Sequence, residues 1–547
     1  MISVGGLVEK RFNEYTLNSR YINEEVLFKI LNKNSTSKYG KKYDFNSIKS
    51  VDKFKLNVPI TDYLDYERYI NEMLKGDKNI LITDDVEFFG HTSGTTGKQK
   101  LVPVTKKSRE VGSKYMALLI ERFAYNNLKN KWNYGRGLML ADTVMTTYSQ
   151  GGVPICSATS GGMDSIKVIL PKIYTSPYEV MKIKDKNTAL YLHLLFALED
   201  KNLSYISGVF ISNVLDALRT LEDNSESLVR DIRRGSINRN LNIDEETRKK
   251  LNKYLKPNAG RADKIELEFS KGFEGICKRI WPKLIYIASV TGANFSIYDD
   301  MVNYYTGSLP IYSPAYASTE AMIGINPYIS KIRYVIIPDT AFYEFIPIKE
   351  SNKENPKTYC IDELKVGEKY EIIITTYAGF YRYRLGDVVK VVDYYNNSPE
   401  IEFLYRKNQA LNMVSEKTTE DHLREAISKT IKKLNLSLVD YTTLEDNSIT
   451  PGRYIFYLEF NEEVSSNKIK FIEDTLDKEL QKANLAYGRF RNNNRLACLS
   501  INIVRRNTFD VIKRYLISKG VSKSQIKIPR VITNKKDILN ILNDNIK

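Results

Sequence analysis

Tryptophan, histidine and cysteine are the rare residues of this chain, at 2, 3 and 4 copies among 547 residues. Cys156, Cys277, Cys360 and Cys498 lie far apart, without a C-x-x-C spacing or a nearby His pair. That pattern excludes a disulfide-stapled scaffold and a structural zinc site and predicts reduced, mostly buried thiols. No stretch approaches the roughly 18 uninterrupted apolar residues of a membrane helix, since runs such as Met116 to Ile120 and Ile372 to Ile374 are cut short by polar neighbours. Glycine (28) and proline (16) are modest, which argues against collagen-like or linker-like chains. The absence of an internal repeat sets aside solenoids and propellers. Met1 to Val8 is too short for a secretory leader and lacks its basic region, so a cytoplasmic protein is expected.

What is present is ordinary globular usage, 42% apolar and 27% charged, enough to bury a core in one large and one smaller domain or in several average ones. The net charge is 82 minus 66, or +16. Lys, Asn, Ile and Tyr are abundant along the whole chain, so the excess reads as solvated surface that attracts small anions. Neither a zinc-finger spacing nor an aromatic RNA-binding signature accompanies it, and no nucleic-acid or membrane partner is expected.

Apolar residues recur at helical spacing from Leu7 to Asn32. Thereafter short β-branched runs (Val86 to Phe89, Gly137 to Ala141, Ser207 to Ile211, Leu284 to Val290) alternate with helical ones (Ser108 to Tyr125, Ala189 to Glu199, Val214 to Leu221). Alternation of this kind predicts an α/β fold with a large mixed or parallel sheet. Strands are expected at Tyr370 to Tyr377, Val388 to Val392 and Ile401 to Tyr405, with a boundary at Arg406 to Asn408. The remainder reads as α+β: helices Glu420 to Leu434, Ile469 to Ala483 and Thr508 to Lys519, with strands Tyr454 to Phe460 and Cys498 to Val504.

The sharpest signal is Thr92-Ser93-Gly94-Thr95-Thr96-Gly97-Lys98, directly after a strand. Glycines let the backbone turn tightly and present N–H groups, while hydroxyls and lysines complete a cradle for a polyphosphate. It is not a Walker A loop, because Gln99 follows Lys98 where a hydroxyl residue is required. Two further clusters follow, Tyr316-Ala317-Ser318-Thr319-Glu320 and Tyr381-Arg-Tyr-Arg-Leu-Gly-Asp387. Period-two alternation in the latter predicts both Tyr rings on one face and both Arg groups on the other, with Gly386 ending the strand and Asp387 at its edge.

The loop resembles the phosphate loop of the acyl-adenylate-forming enzymes, and the two clusters resemble that superfamily's adenine and ribose motifs. A further ordered set resembles the GH3 family of acyl acid amido synthetases. It comprises Trp281 to Lys283, Val290 to Ala293, Tyr305 to Pro310, Tyr316 to Asn326, Tyr343 to Pro347, Thr375 to Asp387, Ser415 to Thr418, Asn507 to Asp510 and Gln525 to Arg530. The resemblance runs from about residue 50 to 535. It implies a large N-terminal adenylation domain with mixed sheets (1–405), a hinge (406–417) and a smaller mobile α+β lid (418–547).

It also implies a reaction in which ATP and a carboxylic acid give acyl-AMP and pyrophosphate, and the amine of an amino acid then takes the acyl group. The implied cofactors are ATP and Mg²⁺, and the implied partners are small acids and amino acids; the acid, the amine and the oligomeric state stay open. By the same resemblance Thr92 to Lys98 hold phosphates, Tyr316 stacks on adenine, and Ser318 and Thr319 line the nucleotide. Glu320 holds the metal and Asp387 binds ribose. Lys417 contacts phosphate when the lid closes, with Lys527 a second candidate. His91 is kept as a possible site contact, and His193 is read as a core histidine. The competing expectations are an acyl-CoA ligase and a non-catalytic nucleotide-binding protein.

Overall fold

The computed structural model describes residues 2–91, 100–291, 298–407, 411, 413–414, 416, 418–521, 525–532 and 536–547. The phosphate-loop residues Thr92 to Lys98, and Lys417, lie outside the described residues. Two compact units are present, one containing most of the chain up to Glu402 and the other built chiefly from Phe403–Lys547, with Gly386–Val389 counted in it.

The first unit begins with two helices, Ile2–Leu17 and Ser19–Asn34, that break at Asn18 rather than running on. A four-stranded sheet has the order β2 (Leu101–Thr105), β1 (Val86–His91), β5 (Pro154–Ser157), β4 (Met145–Tyr148). A parallel sheet has the order β3 (Gly137–Leu140), β6 (Tyr205–Phe210), β7 (Tyr286–Val290), β8 (Ile311–Tyr312). Helix Lys186–Glu199 packs against it and buries Leu190 through Leu198 on all sides, which is why its sequence is apolar all round. Trp281 is fully buried in the same core and donates its indole N–H to the Ala197 carbonyl at 2.8 Å.

A seven-stranded sheet has the order β12 (Ala341–Pro347), β13 (Lys369–Thr376), β14 (Tyr383–Tyr395), β15 (Ser398–Arg406), β11 (Tyr334–Ile336), β10 (Met322–Ile325), β9 (Ala315–Ala317). The expected mixed α/β architecture is therefore the observed one. The single helix expected over Ser108 to Tyr125 is instead Lys106–Lys114, a π turn at Tyr115–Leu119, and Ile120–Leu128. Tyr115 is held there by its hydroxyl on Asp339 at 2.6 Å.

The second unit holds a three-stranded sheet, β16 (Leu438–Asp446), β17 (Arg453–Phe460) and β18 (Ser500–Ile503), with helices Glu420–Leu434, Ser466–Ala483 and Thr508–Ser518. Thr419 opens the first of these helices, and its backbone N–H donates to His422 Nδ1 at 3.2 Å, which gives that histidine a capping role. No helix among the described residues is long and apolar enough to cross a membrane.

Candidate active site

Strands β1 and β2 form an antiparallel pair whose ladder closes at His91 opposite Leu101, so the chain leaves and re-enters the sheet at one point around residues 92–100. Just before that point Gly90 packs closely: a Cβ there would lie 2.8 Å from the Thr319 methyl, so a larger residue would force Thr319 to shift.

Tyr316 lies in β9, half-buried and tilted at 43° against Tyr334, 5.8 Å between ring centroids. Ser318 then turns the chain, its N–H donating to the Ala321 carbonyl at 2.9 Å. That turn leaves Glu320 only 8% exposed. Glu320 lies near Tyr63. Burial first, and then the Glu67 and Glu320 carboxylates, push the Tyr63 hydroxyl up to about 12, against the lowering effect of its bond to Leu101. The structure thus brings Thr319, Glu320, Gly90 and Tyr63 together where the loop begins and ends. Tyr63 gave no signal in the sequence beyond a tyrosine at a helix start.

Asp387 does not sit at a strand end as expected. β14 runs through it to Tyr395, and Gly386 is accommodated within the strand at φ +80°. The Asp387 side chain is 3% exposed, and Arg406 donates to it from Nε at 2.6 Å.

The expected alternation also fails one residue before β14. Arg382 adopts a left-handed backbone, φ +49°, so the pleat does not extend back to Tyr381. Arg382 is buried. It makes a buried two-pronged pair with Glu344 (3.0 and 2.9 Å) and donates to the carbonyls of Lys55 and Val58. Arg384 donates to the Ser351 carbonyl at 2.8 Å and lies 3.6 Å from Glu371.

Both neighbours of Lys417 are firmly held. Glu416 is buried and accepts from the backbone N–H groups of Met413 (2.6 Å) and Val414 (2.7 Å) and from the Tyr454 hydroxyl (2.5 Å). Thr418 pairs with Leu411 in a β-bridge, and its hydroxyl bonds to the Tyr454 hydroxyl oxygen and accepts from Asn484. Lys527 lies 3.7 Å from Glu420 in the same unit.

His91 is buried with Nε2 3.4 Å from the Thr146 hydroxyl, and desolvation holds its pKa below the usual imidazole range. His193 is buried, bonded through Nδ1 to Ser176 at 2.7 Å, and desolvation pushes its pKa down to about 4. Next to Ser176, the Thr175 N–H donates to the Gly137 carbonyl at 3.0 Å.

The architecture is that of the adenylate-forming ligases. A 2-hydroxyisobutyryl-CoA ligase in its postadenylation state superimposes with a TM-score of 0.53 at 9% identity, over 97% of this chain and 91% of that one, a likeness of fold alone. The finer comparison is much closer. GH3.15 acyl acid amido synthetase matches with a TM-score of 0.89 at 27% identity, over 100% of this chain and 97% of that one. Jasmonoyl–L-amino acid synthetase JAR4 of Nicotiana attenuata is 31% identical over 98% of this chain and 96% of its own length. Indole-3-acetic acid-amido synthetase GH3.5 of Arabidopsis thaliana is 30% identical over 95% and 90%. The GH3 family N-terminal, central and C-terminal domains match residues 8–311, 334–406 and 421–536. The chain belongs to the GH3 family.

Proposed function

We propose that this protein is an ATP-dependent acyl acid amido synthetase, an acid–amino acid ligase that forms a C–N bond and releases AMP and pyrophosphate. The observation that carries the reading is the close approach of Gly90, one residue before the end of β1, to Thr319 of the Tyr316 to Glu320 segment. The names of the relatives, an indole-3-acetic acid-amido synthetase and a jasmonoyl–L-amino acid synthetase, support the same activity.

In the first step a carboxylate oxygen of the acid attacks the α-phosphorus of ATP, the new O–P bond forms, and pyrophosphate leaves with the electrons of the bond to the β-phosphate. Thr92 to Lys98 and Thr319 position the phosphates, Tyr316 and Ser318 line the adenine side, and Asp387 accepts from the ribose hydroxyls, since one carboxylate can take two such bonds. Glu320 offers a hard carboxylate oxygen, which fits Mg²⁺, a cation that draws its other ligands from substrate phosphates and water. Bound there, Mg²⁺ would offset charge developing on the phosphates.

In the second step the neutral amine nitrogen attacks the acyl carbon, AMP departs, and the amine proton passes to solvent. Residues 1–405 act as the adenylation domain, 406–417 as a hinge and 418–547 as a lid. Lys417 meets the phosphates on closure, and Lys527 is a second cation of the lid. The protein acts in the cytoplasm on a small acid and an amino acid.

Pyrophosphate release from Mg-ATP is to be measured against aromatic, indolic and aliphatic acids, followed by mass spectrometry after adding pooled amino acids or, separately, coenzyme A. An acyl-amino acid with stoichiometric AMP is the expected product. A thioester alone would move the chain to the CoA ligases, and silence with every acid would remove the catalytic reading. Lys417→Ala is expected to slow the adenylation rate while leaving ATP affinity nearly intact, because the lysine acts on charge that develops in the transition state.

A further inference from the structure

Helix Tyr63–Lys75 starts with an unusually rigid first turn. The Asp62 side chain caps the Leu64 N–H at 2.8 Å and Asp65 reaches back to the Asp62 N–H at 2.9 Å. From this turn project Tyr63 and Tyr66, three residues apart and therefore on one face. Each uses its hydroxyl in the same way. Tyr63 accepts from the Leu101 N–H at 2.7 Å and donates to the Leu101 carbonyl at 3.1 Å. Tyr66 accepts from the Tyr381 N–H at 2.8 Å and donates to the Tyr381 carbonyl at 2.8 Å.

The two backbone residues so gripped are functionally placed. Leu101 is the first residue of β2, directly after the phosphate loop, and among the described residues β2 is the edge of its sheet, with no further strand beside it. Tyr381 opens the motif that leads into β14 and to Asp387. The same segment reinforces the second grip. Thr61 pairs with Tyr383 in a parallel bridge, its N–H donating to the Arg382 carbonyl (3.0 Å) and its carbonyl accepting from the Arg384 N–H (2.8 Å).

We propose that Tyr63 and Tyr66 form a two-pronged brace that fixes the exit of the phosphate loop relative to the start of the ribose motif, making Tyr63 a positioning residue for nucleotide. The proposal rests on the reading of residues 92–100 as a phosphate loop. The hydroxyl of Tyr63 does the positioning, while its ring supplies packing that phenylalanine would keep.

The test compares full-length wild type with Tyr63→Phe, Tyr66→Phe and the double variant. Three quantities are read: calorimetric affinity for α,β-methylene-ATP with Mg²⁺, KM for the acid, and deuterium uptake of the peptide containing Leu101. Tyr63→Phe is expected to weaken the nucleotide analogue about tenfold, the scale of one or two lost hydrogen bonds. It should speed exchange at Leu101 and leave the KM for the acid within about twofold, as for a group acting on one substrate only. The double variant should lose less than the product of the two single losses, because both prongs serve one device. Wild-type nucleotide affinity in Tyr63→Phe, equal weakening of nucleotide and acid, or full independence of the two variants would each overturn the brace. A wild type that binds the analogue but forms no amide would refute the synthetase reading and leave the brace to be judged on binding alone; a wild type that binds no nucleotide would refute the brace.

Discussion

Arg382 and Arg406 both pair with a carboxylate beside the ribose motif, and the two surroundings could hardly differ more. Around Arg382 everything is closed: the side chains of Arg382 and Glu344 are 6% and 1% exposed, and Thr358 donates a further bond to Glu344 at 2.6 Å. Around Arg406 only one side is closed, for Asp387 is buried while the arginine is 43% exposed. The first pair is a fixed part of the core. The second joins a buried carboxylate to an arginine that is partly in solvent. Two arginine–carboxylate pairs thus differ in burial, and on the proposed function the second, with Asp387, is the working part.

The largest expected effect falls on the working part. Asp387→Ala and Glu320→Ala should each lower pyrophosphate release by a factor of about 10² to 10³ or more, the usual cost of deleting a preorganised electrostatic contact. Wild-type rates in both variants would remove the site assignment. Arg382→Ala should instead cost stability, about 3–5 kcal/mol, because Glu344 is left charged and buried without its partner. A denaturant midpoint unchanged from wild type would show that the core pair is not structural.

The same contrast of buried against exchangeable groups extends to His193. Its pKa is depressed from 6.5 to about 4, so the neutral form is favoured in the folded state. The associated stability is fully present above about pH 6.5 and is lost as pH falls toward about 4, a span worth up to about 3 kcal/mol. Chemical denaturation at a series of pH values should show this slope in wild type and a flatter one in His193→Gln; identical slopes would mean that the imidazole titrates normally. The smallest effect on stability is expected for Arg406→Ala, about 1 kcal/mol or less, since a half-exposed ion pair is screened by solvent. A loss comparable to that of Arg382→Ala would erase the distinction between the two pairs.

Local chemistry was legible in the sequence and tertiary chemistry was not. The β-branched runs and the helix from Glu420 carry their signals within a few residues. Arg382 could not be read as buried, because its partner Glu344 is remote in sequence and its left-handed backbone has no glycine to announce it. Tyr63 could not be separated from any other helical tyrosine, since its meaning lies in Leu101 across a turn of the fold. The clasp of Tyr454 and Asn484 on Glu416 and Thr418 joins three separated segments and leaves no local pattern either. A strand ending at Gly386, with Asp387 at its edge, is expected from glycine's usual place at strand ends, and here both residues are absorbed within β14.

The most direct test of the account is a rapid-quench single turnover with Mg-ATP and an accepted acid, without any amine, followed by mass spectrometry. Acyl-AMP and pyrophosphate should accumulate in equal amounts, and later addition of an amino acid should convert the adenylate to amide and AMP. Amide formation without a detectable adenylate, or release of ADP and phosphate in place of AMP and pyrophosphate, would contradict it.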